Sequence, residues 1–182
     1  KAENNNQPFA VVSSKSNPAV CFFACGESRG YVAKNVATKL KAKEATGTLV
    51  VAGEQTAGRG RRSRSWSSPS GDGIWMSFLL RPELSPEKCS GLTLVTALAL
   101  TKSLVKYTGV DFLIKWPNDI YVNSRKICGI LIENSLKGPF LSYSIIGIGL
   151  NVNQTSFDPT LPNPTSISLE TGNSYDLKDM LE

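Results

Sequence analysis

The segment GEQTAGRGRRSRSW, Gly53 to Trp66, gathers Arg59, Arg61, Arg62 and Arg64 among Gly58, Gly60 and small polar residues, and it closes on a tryptophan. Guanidinium groups make forked hydrogen bonds to carboxylate or phosphate, and glycines let a backbone bend and approach a ligand closely. Such a stretch is either an anion clamp that orders over its ligand or a solvated basic loop, and taken alone its composition favours neither. Farther on, KWPND offers hard oxygen ligands in Asn118 and Asp119, suited to magnesium that carries phosphates, with Lys115 as a neighbouring cation. Pro-Asn-Asp is equally good chemistry for a plain turn. In RKICGILIE, Lys126 stands just before a strand and Gly129 inside it; a glycine within a strand often marks close approach by a ligand or another backbone. In GIGLNVN, Gly147, Gly149 and Asn151 alternate and so share one strand face. The two glycines leave a slot for a flat apolar ligand, or they allow tight strand packing. Asn151 can pair with a purine edge, as asparagine does with adenine in DNA.

These residues need elements to hold them. FAVVSS and AVCFFACG read as short strands around the turn-forming KSNP. YVAKNVATKLKAKEA, Tyr31 to Ala45, has apolar residues at helical spacing. GTLVVAGE is a β-branched strand that leads into the Arg/Gly stretch, and GIWMSFLLRP is a second strong strand. SPEKCSGLTLVTALALTKSLVKYTG predicts a long helix, with Ser85 as N-cap, Pro86 at the first helical position and Gly109 as its stop. DFLIKW, DIYVN, KICGILIEN and LSYSIIGIGLNVN then follow with short turns, which favours antiparallel pairing. From Gln154 the chain becomes rich in Pro, Ser and Thr before a helix start at DLKDMLE. The expected class is α+β: a mixed, mainly antiparallel sheet with helices packed on one side.

Composition excludes several chemistries. The 182 residues contain no histidine, which removes Ser-His-Asp and Cys-His catalysis and most zinc sites. Cys21, Cys25, Cys89 and Cys128 have neither zinc-knuckle nor redox spacing and read as buried reduced thiols. The net charge of +5 is mild and sits largely in the Arg-rich stretch, which points to a local site rather than a nucleic-acid face. No apolar run reaches the roughly 18 residues of a membrane span, and the N-terminal KAENNNQPF lacks a hydrophobic signal region. Neither DNA nor membrane is expected as a partner, and a cytoplasmic location is the default.

GRGRR…W, KWPND, RK…GIL and GIGLN in this order resemble the catalytic domain of biotin–protein ligases, biotin–[acetyl-CoA carboxylase] ligase or holocarboxylase synthetase. The resemblance is detailed over roughly Gly47 to Gln154. It implies a fold shared with lipoate–protein ligases, ATP, magnesium and biotin as ligands, and a biotin carboxyl carrier domain as partner, with a homodimer left open. It implies that Gln55 and Gly58 serve the biotin head group. Arg59, Gly60 and Arg61 would fold over biotin and the adenylate, and Trp66 would wall the adenine side. Lys115, Asn118 and Asp119 would serve nucleotide and metal, and Lys126 would meet the biotin carboxylate and α-phosphate. Gly129, Leu131, Gly147 and Gly149 would line the biotin pocket, and Asn151 would meet the adenine. The family usually carries Asp-Ser-Thr-Asn near its first helix; the match here is ESRG, so Ser28, Arg29 and Gly30 take those positions, with Arg29 and Gly30 departing in type. Ser63 stands where the family often has glycine. The expected organisation is one domain over 1–182, with 155–182 connecting toward an absent C-terminal small β-barrel and no N-terminal helix-turn-helix. A lipoate or octanoyl ligase of the same fold, and a non-catalytic biotin- or nucleotide-binding module, are the alternatives.

Overall fold

A computed structural model of the chain describes residues 10–14, 17–24 and 32–33 by their backbone and 46–181 in full. Ser28, Arg29 and Gly30, Cys25 and most of the expected Tyr31–Ala45 helix lie outside the described residues.

Among the described residues, eight strands form one sheet in the order β1-β2-β4-β7-β11-β10-β9-β8. They are β1 (Ala10–Ser14), β2 (Asn17–Ala24), β4 (Leu49–Ala52), β7 (Gly73–Leu80), β8 (Leu113–Lys115), β9 (Asp119–Val122), β10 (Arg125–Lys137) and β11 (Phe140–Asn151). Only the β2–β4 pairing of this sheet is parallel. The mixed, mainly antiparallel expectation is met, and DFLIKW through GIGLNVN form the consecutive antiparallel strands that their spacing predicts.

Strand alternation divides the sheet into two faces with two cores. Ile74, Ile130, Ile146, Ile148 and Leu150 point to one side, where Ala97 and Leu104 of α1 (Gly91–Thr108) join them. Trp75 and Leu79 of β7, with Val50 and Ala52 of β4, pack on the other. α1 buries Ala97, Thr101 and Leu104, spaced four and three residues apart, so one stripe meets the sheet. The segment Pro86–Thr108 that contains it has a length and mean hydropathy of 1.2 that would suit a membrane span, unlike any other helix among the described residues, yet α1 packs against β8, β9 and β10.

Four local expectations are corrected. The long helix starts at Gly91, because Pro86–Lys88 forms a separate 3-10 turn; Ser85 makes no side-chain cap, while Gly109 does end the helix in a left-handed conformation (φ 72°). Val32–Ala33 is a short strand, β3, rather than the start of a helix, because it pairs in parallel with Glu54 and Gln55. The Arg/Gly stretch forms two strands, β5 (Glu54–Arg59) and β6 (Ser65–Ser68), in a second sheet of order β3-β5-β6. Within the expected helix start DLKDMLE, the described residues 176–181 form turns capped by the Asp176 carboxylate, which accepts from Lys178 N at 2.8 Å and Asp179 N at 3.1 Å.

Cys89 and Cys128 are free and buried, as expected, and burial pushes the Cys128 thiol well above its ordinary value. Ile146 on central β11 is 1 % exposed. Ile146→Ala is therefore expected to lower unfolding stability by about 2–5 kcal/mol, read as a shifted urea midpoint at unchanged slope. A loss below about 1 kcal/mol would contradict the two-face core.

Candidate functional site: a glycine-floored face under Trp66

Gly129 and Gly149 lie directly opposite each other in the β10–β11 ladder. With no Cβ on either, the Trp66 indole of β6 rests on the backbone of both strands. A Cβ at Gly129 would come within 2.9 Å of Trp66 Cζ3, and one at Gly149 would overlap the indole nitrogen. The flat group in the slot is thus the chain's own indole rather than vacant space for a ligand. Gly147 shares that face and lies beside Leu131 and Ser77. Trp66 also meets Trp75 edge-on, with ring centroids 6.5 Å apart. Its buried Nε1–H has no hydrogen-bond acceptor, a state that costs about 1–3 kcal/mol.

Lys126 reaches this face because β10 carries a bulge. The register slips between Lys126, opposite Tyr121, and Cys128, opposite Ile120. Ile127 and Cys128 are consecutive residues, and both enter the core on the α1 side. Strict alternation would have sent Lys126 to that side with Cys128; the extra residue turns it the other way. Its Nζ lies 2.7 Å from Asp119 Oδ1 and 5.3 Å from the Trp66 ring centroid, within cation–π range. Asp119 opposes both Gly129 and, on its other side, Lys115. The Lys115 Nζ sits 4.7 Å over the Tyr121 ring and 3.5 Å from its hydroxyl.

KWPND is a β8–β9 turn with a cis Trp116–Pro117 bond. Asn118 locks this turn to β10, its Nδ2 donating to Ile130 O at 3.0 Å and its backbone oxygen accepting from Ile130 N at 2.8 Å. Trp116, by contrast, is 77 % exposed. One carboxylate and one amide form the oxygen donor set here, and Lys126 already meets one carboxylate oxygen. That set fits a magnesium ion arriving on nucleotide phosphates, which needs only one or two carboxylates from the protein. Among the described residues no cluster of three or more His, Cys, Asp or Glu side chains could hold a metal alone.

The Arg/Gly stretch is tied to the same face. Arg59 Nη2 donates to both Glu133 oxygens, at 2.8 and 2.9 Å. Glu133 follows Gly129 and Leu131 at alternate positions of β10. Arg61, Arg62 and Ser63 make a 3-10 turn between β5 and β6, and Arg62 and Ser63 adopt positive φ. This is the conformation that makes a glycine favourable at position 63. Gln55 Nε2 donates to Ser68 Oγ at 2.9 Å. Gln55, Gly58, Trp66 and Pro69 line a cavity of about 320 Å³, which Lys126 and Asp119 do not reach.

Asn151 is buried, and its amide donates to Thr165 O at 2.9 Å. The structure therefore brings Trp66, Asp119, Lys126, Gly129 and Gly149 together, with Arg59 and Lys115 beside them; Gln55 and Gly58 lie at the adjoining cavity, and Asn151 is held from the chain beyond β11. Sequence reasoning missed Glu133 and Thr165. Glu133 carried a usable signal, its even spacing from Gly129, which puts both on one strand face.

If Trp66 seats on these glycines, Gly149→Ala is expected to cost about 1–3 kcal/mol by overpacking. In a Trp66→Ala background most of that penalty should vanish. An equal loss of urea stability in both backgrounds would show that the contact is not what excludes a side chain at position 149.

The biotin/lipoate A/B protein ligase family profile matches residues 32–151. A protein named bifunctional ligase/repressor BirA from Bacillus spizizenii is 45% identical over 141 residues, covering 75% of this chain and 43% of that protein. A biotin–[acetyl-CoA-carboxylase] ligase from Paracoccus denitrificans is 37% identical over 139 residues, covering 73% and 58%. The Aquifex aeolicus biotin protein ligase, solved with biotin and ATP, superposes with a TM-score of 0.70 at 34% identity, covering 83% of this chain and 63% of that one. The chain thus spans about half the length of the curated relatives it matches. The α+β sheet, the glycine-floored face and the matched segments make the chain a member of the biotin/lipoate A/B protein ligase family.

Proposed function

We propose that this chain activates biotin with ATP to biotinyl-5′-AMP and transfers the biotinyl group to a lysine of a biotin carboxyl carrier domain. The observation that carries the reading is the Lys126–Asp119 pair on the glycine-floored face beneath Trp66. The names and ligands of the relatives support it.

In the first step a biotin carboxylate oxygen attacks the α-phosphorus, a P–O bond forms, and the bond to pyrophosphate breaks. Two anions must meet, so cations have to offset their repulsion and the charge developing at phosphorus. Lys126 would do this, a role supported by the 2.7 Å contact that holds its ammonium beside Asp119 on the glycine-floored face. Arg59, now paired with Glu133, and exposed Arg61 supply guanidinium groups from the β5–β6 connection. Asp119 and Asn118 would hold a magnesium ion together with the phosphates, and it would supply further charge neutralisation. For a ligand to lie on Gly129 and Gly149, Trp66 has to shift from them, and its unpartnered N–H gains the chance of an acceptor. In the second step the acceptor lysine amine attacks the acyl carbon, the C–O bond to AMP breaks, and the amine loses a proton. Water must be kept out, or the anhydride hydrolyses; the Arg59–Trp66 connection is the segment we assign to cover it.

Incubation with biotin, ATP and magnesium should yield biotinyl-AMP by mass detection and release pyrophosphate only when biotin is present. Lipoate or octanoate used in place of biotin should give no adenylate, and the reverse preference would assign the chain to the lipoate branch. Biotin binding without pyrophosphate release would instead identify a binding module.

Lys126→Ala is expected to abolish pyrophosphate release, and normal release would remove Lys126 from its role. Arg61→Gly should shorten the lifetime of bound adenylate and label nearby amines non-specifically. Retention equal to that of the unaltered chain in a dissociation assay would defeat the clamp.

A further inference from the structure

The chain beyond β11 is wired into the site. Lys126 N donates to Asn163 O at 2.7 Å and Thr165 N donates to Lys126 O at 2.8 Å, which makes a parallel bridge between Lys126 and Pro164. Both main-chain groups of Lys126 are thus taken by residues 163–165. The carbonyl of Thr165 accepts the Asn151 amide. Asn151 and Lys126 are 25 residues apart in sequence, yet they are fixed by the same short strap.

Glu170, in the short helix α2 (Ile167–Thr171), holds this strap. Its side chain is 3 % exposed and pairs with Arg125 Nη2 at 2.8 Å. It also accepts from Asn123 Nδ2 at 3.0 Å and from the Thr165 hydroxyl. A buried carboxylate is tolerated only with such donors. Here they come from the β9–β10 turn on one side and from the strap on the other, so one charge joins both segments that flank Lys126.

We propose that Glu170 is a positioning residue for this site, acting through Arg125 and Thr165 to fix the Lys126 main chain and the Asn151 amide. The proposal rests on the reading of Lys126 as the group that meets the biotin carboxylate and α-phosphate. Glu170 touches no substrate. It sets where the Lys126 side chain begins, and a misplacement of about 1 Å in such a group can lower a rate about 100-fold.

Glu170→Ala also opens a hole, so the near-isosteric variants Glu170→Gln and Thr165→Val carry the test in the 182-residue chain. Biotin-dependent pyrophosphate release should fall about ten-fold or more in kcat for Glu170→Gln, with the protein still folded by its melting curve. Dissociation constants of a non-hydrolysable ATP analogue, measured by calorimetry in the presence of biotin, then supply a double-mutant cycle with Lys126→Gln. Glu170→Gln should weaken binding in the unaltered chain and change it less than about two-fold once Lys126 is gone, because the two act as one unit. A purely structural role predicts multiplicative effects, and that result overturns the proposal, as does a Glu170→Gln rate within about two-fold of the unaltered chain. Absence of biotin-dependent pyrophosphate release in the unaltered chain removes the functional reading and this proposal with it.

Discussion

Across the β10–β11 ladder Gly129 faces Gly149, and the patch of bare backbone they share is covered by a single indole. An aromatic ring placed this close to a sheet excludes any side chain from both positions and draws the neighbouring strand inward. β6 comes with Trp66, β5 comes with β6, and the arginines between them are carried to the rim of the face. The same ring borders Lys126 on one side and Trp75 on the other. The small sheet is thereby seated against the large one through an aromatic contact that has one polar atom without a partner. That makes it a resting contact well suited to being exchanged for a ligand.

Charge around this contact is held in pairs. Lys126 has Asp119, Arg59 has Glu133, and Arg125 has Glu170. The first two pairs are partly exposed, where such bridges contribute little to stability, so their value lies in placing cations beside the glycine floor at low cost for re-pairing. The third differs because its carboxylate is sequestered, and it holds backbone in place instead of offering charge to a ligand.

Much of this was legible in the residues. Apolar runs separated by short turns announced β7, β9, β10 and β11, and the helical run ending at Gly109 announced α1. The resemblance implied one site for Asp119, Lys126, Gly129 and Gly149, whereas spacing alone would have sent Lys126 to the α1 face, because the bulge leaves no sequence signal. What stayed hidden had physical reasons. β5 (EQTAGR) and β6 (SWSS) are mostly small or polar and show no period-two hydrophobic signal, so their placement depends on the Trp66 and Glu133 contacts farther along the chain. Proline and threonine around residue 164 read as loose chain, because a bridge to Lys126 leaves no local pattern. The role of the Asn118 amide was equally hidden: turn chemistry says that it bends the chain but not that it reaches Ile130.

The bulge at Ile127 has a consequence for how this protein can change over evolutionary time. β10 is read in one phase before Ile127 and in the opposite phase after it, much as a shifted reading frame is. Substitutions act on one side chain at a time. A single-residue insertion or deletion within Lys126–Gly129 would exchange inside and outside for everything on one side of it. It would send the ammonium toward the α1 core, or the glycine floor away from Trp66. The length of this short interval is therefore under tighter constraint than the identity of most residues within it.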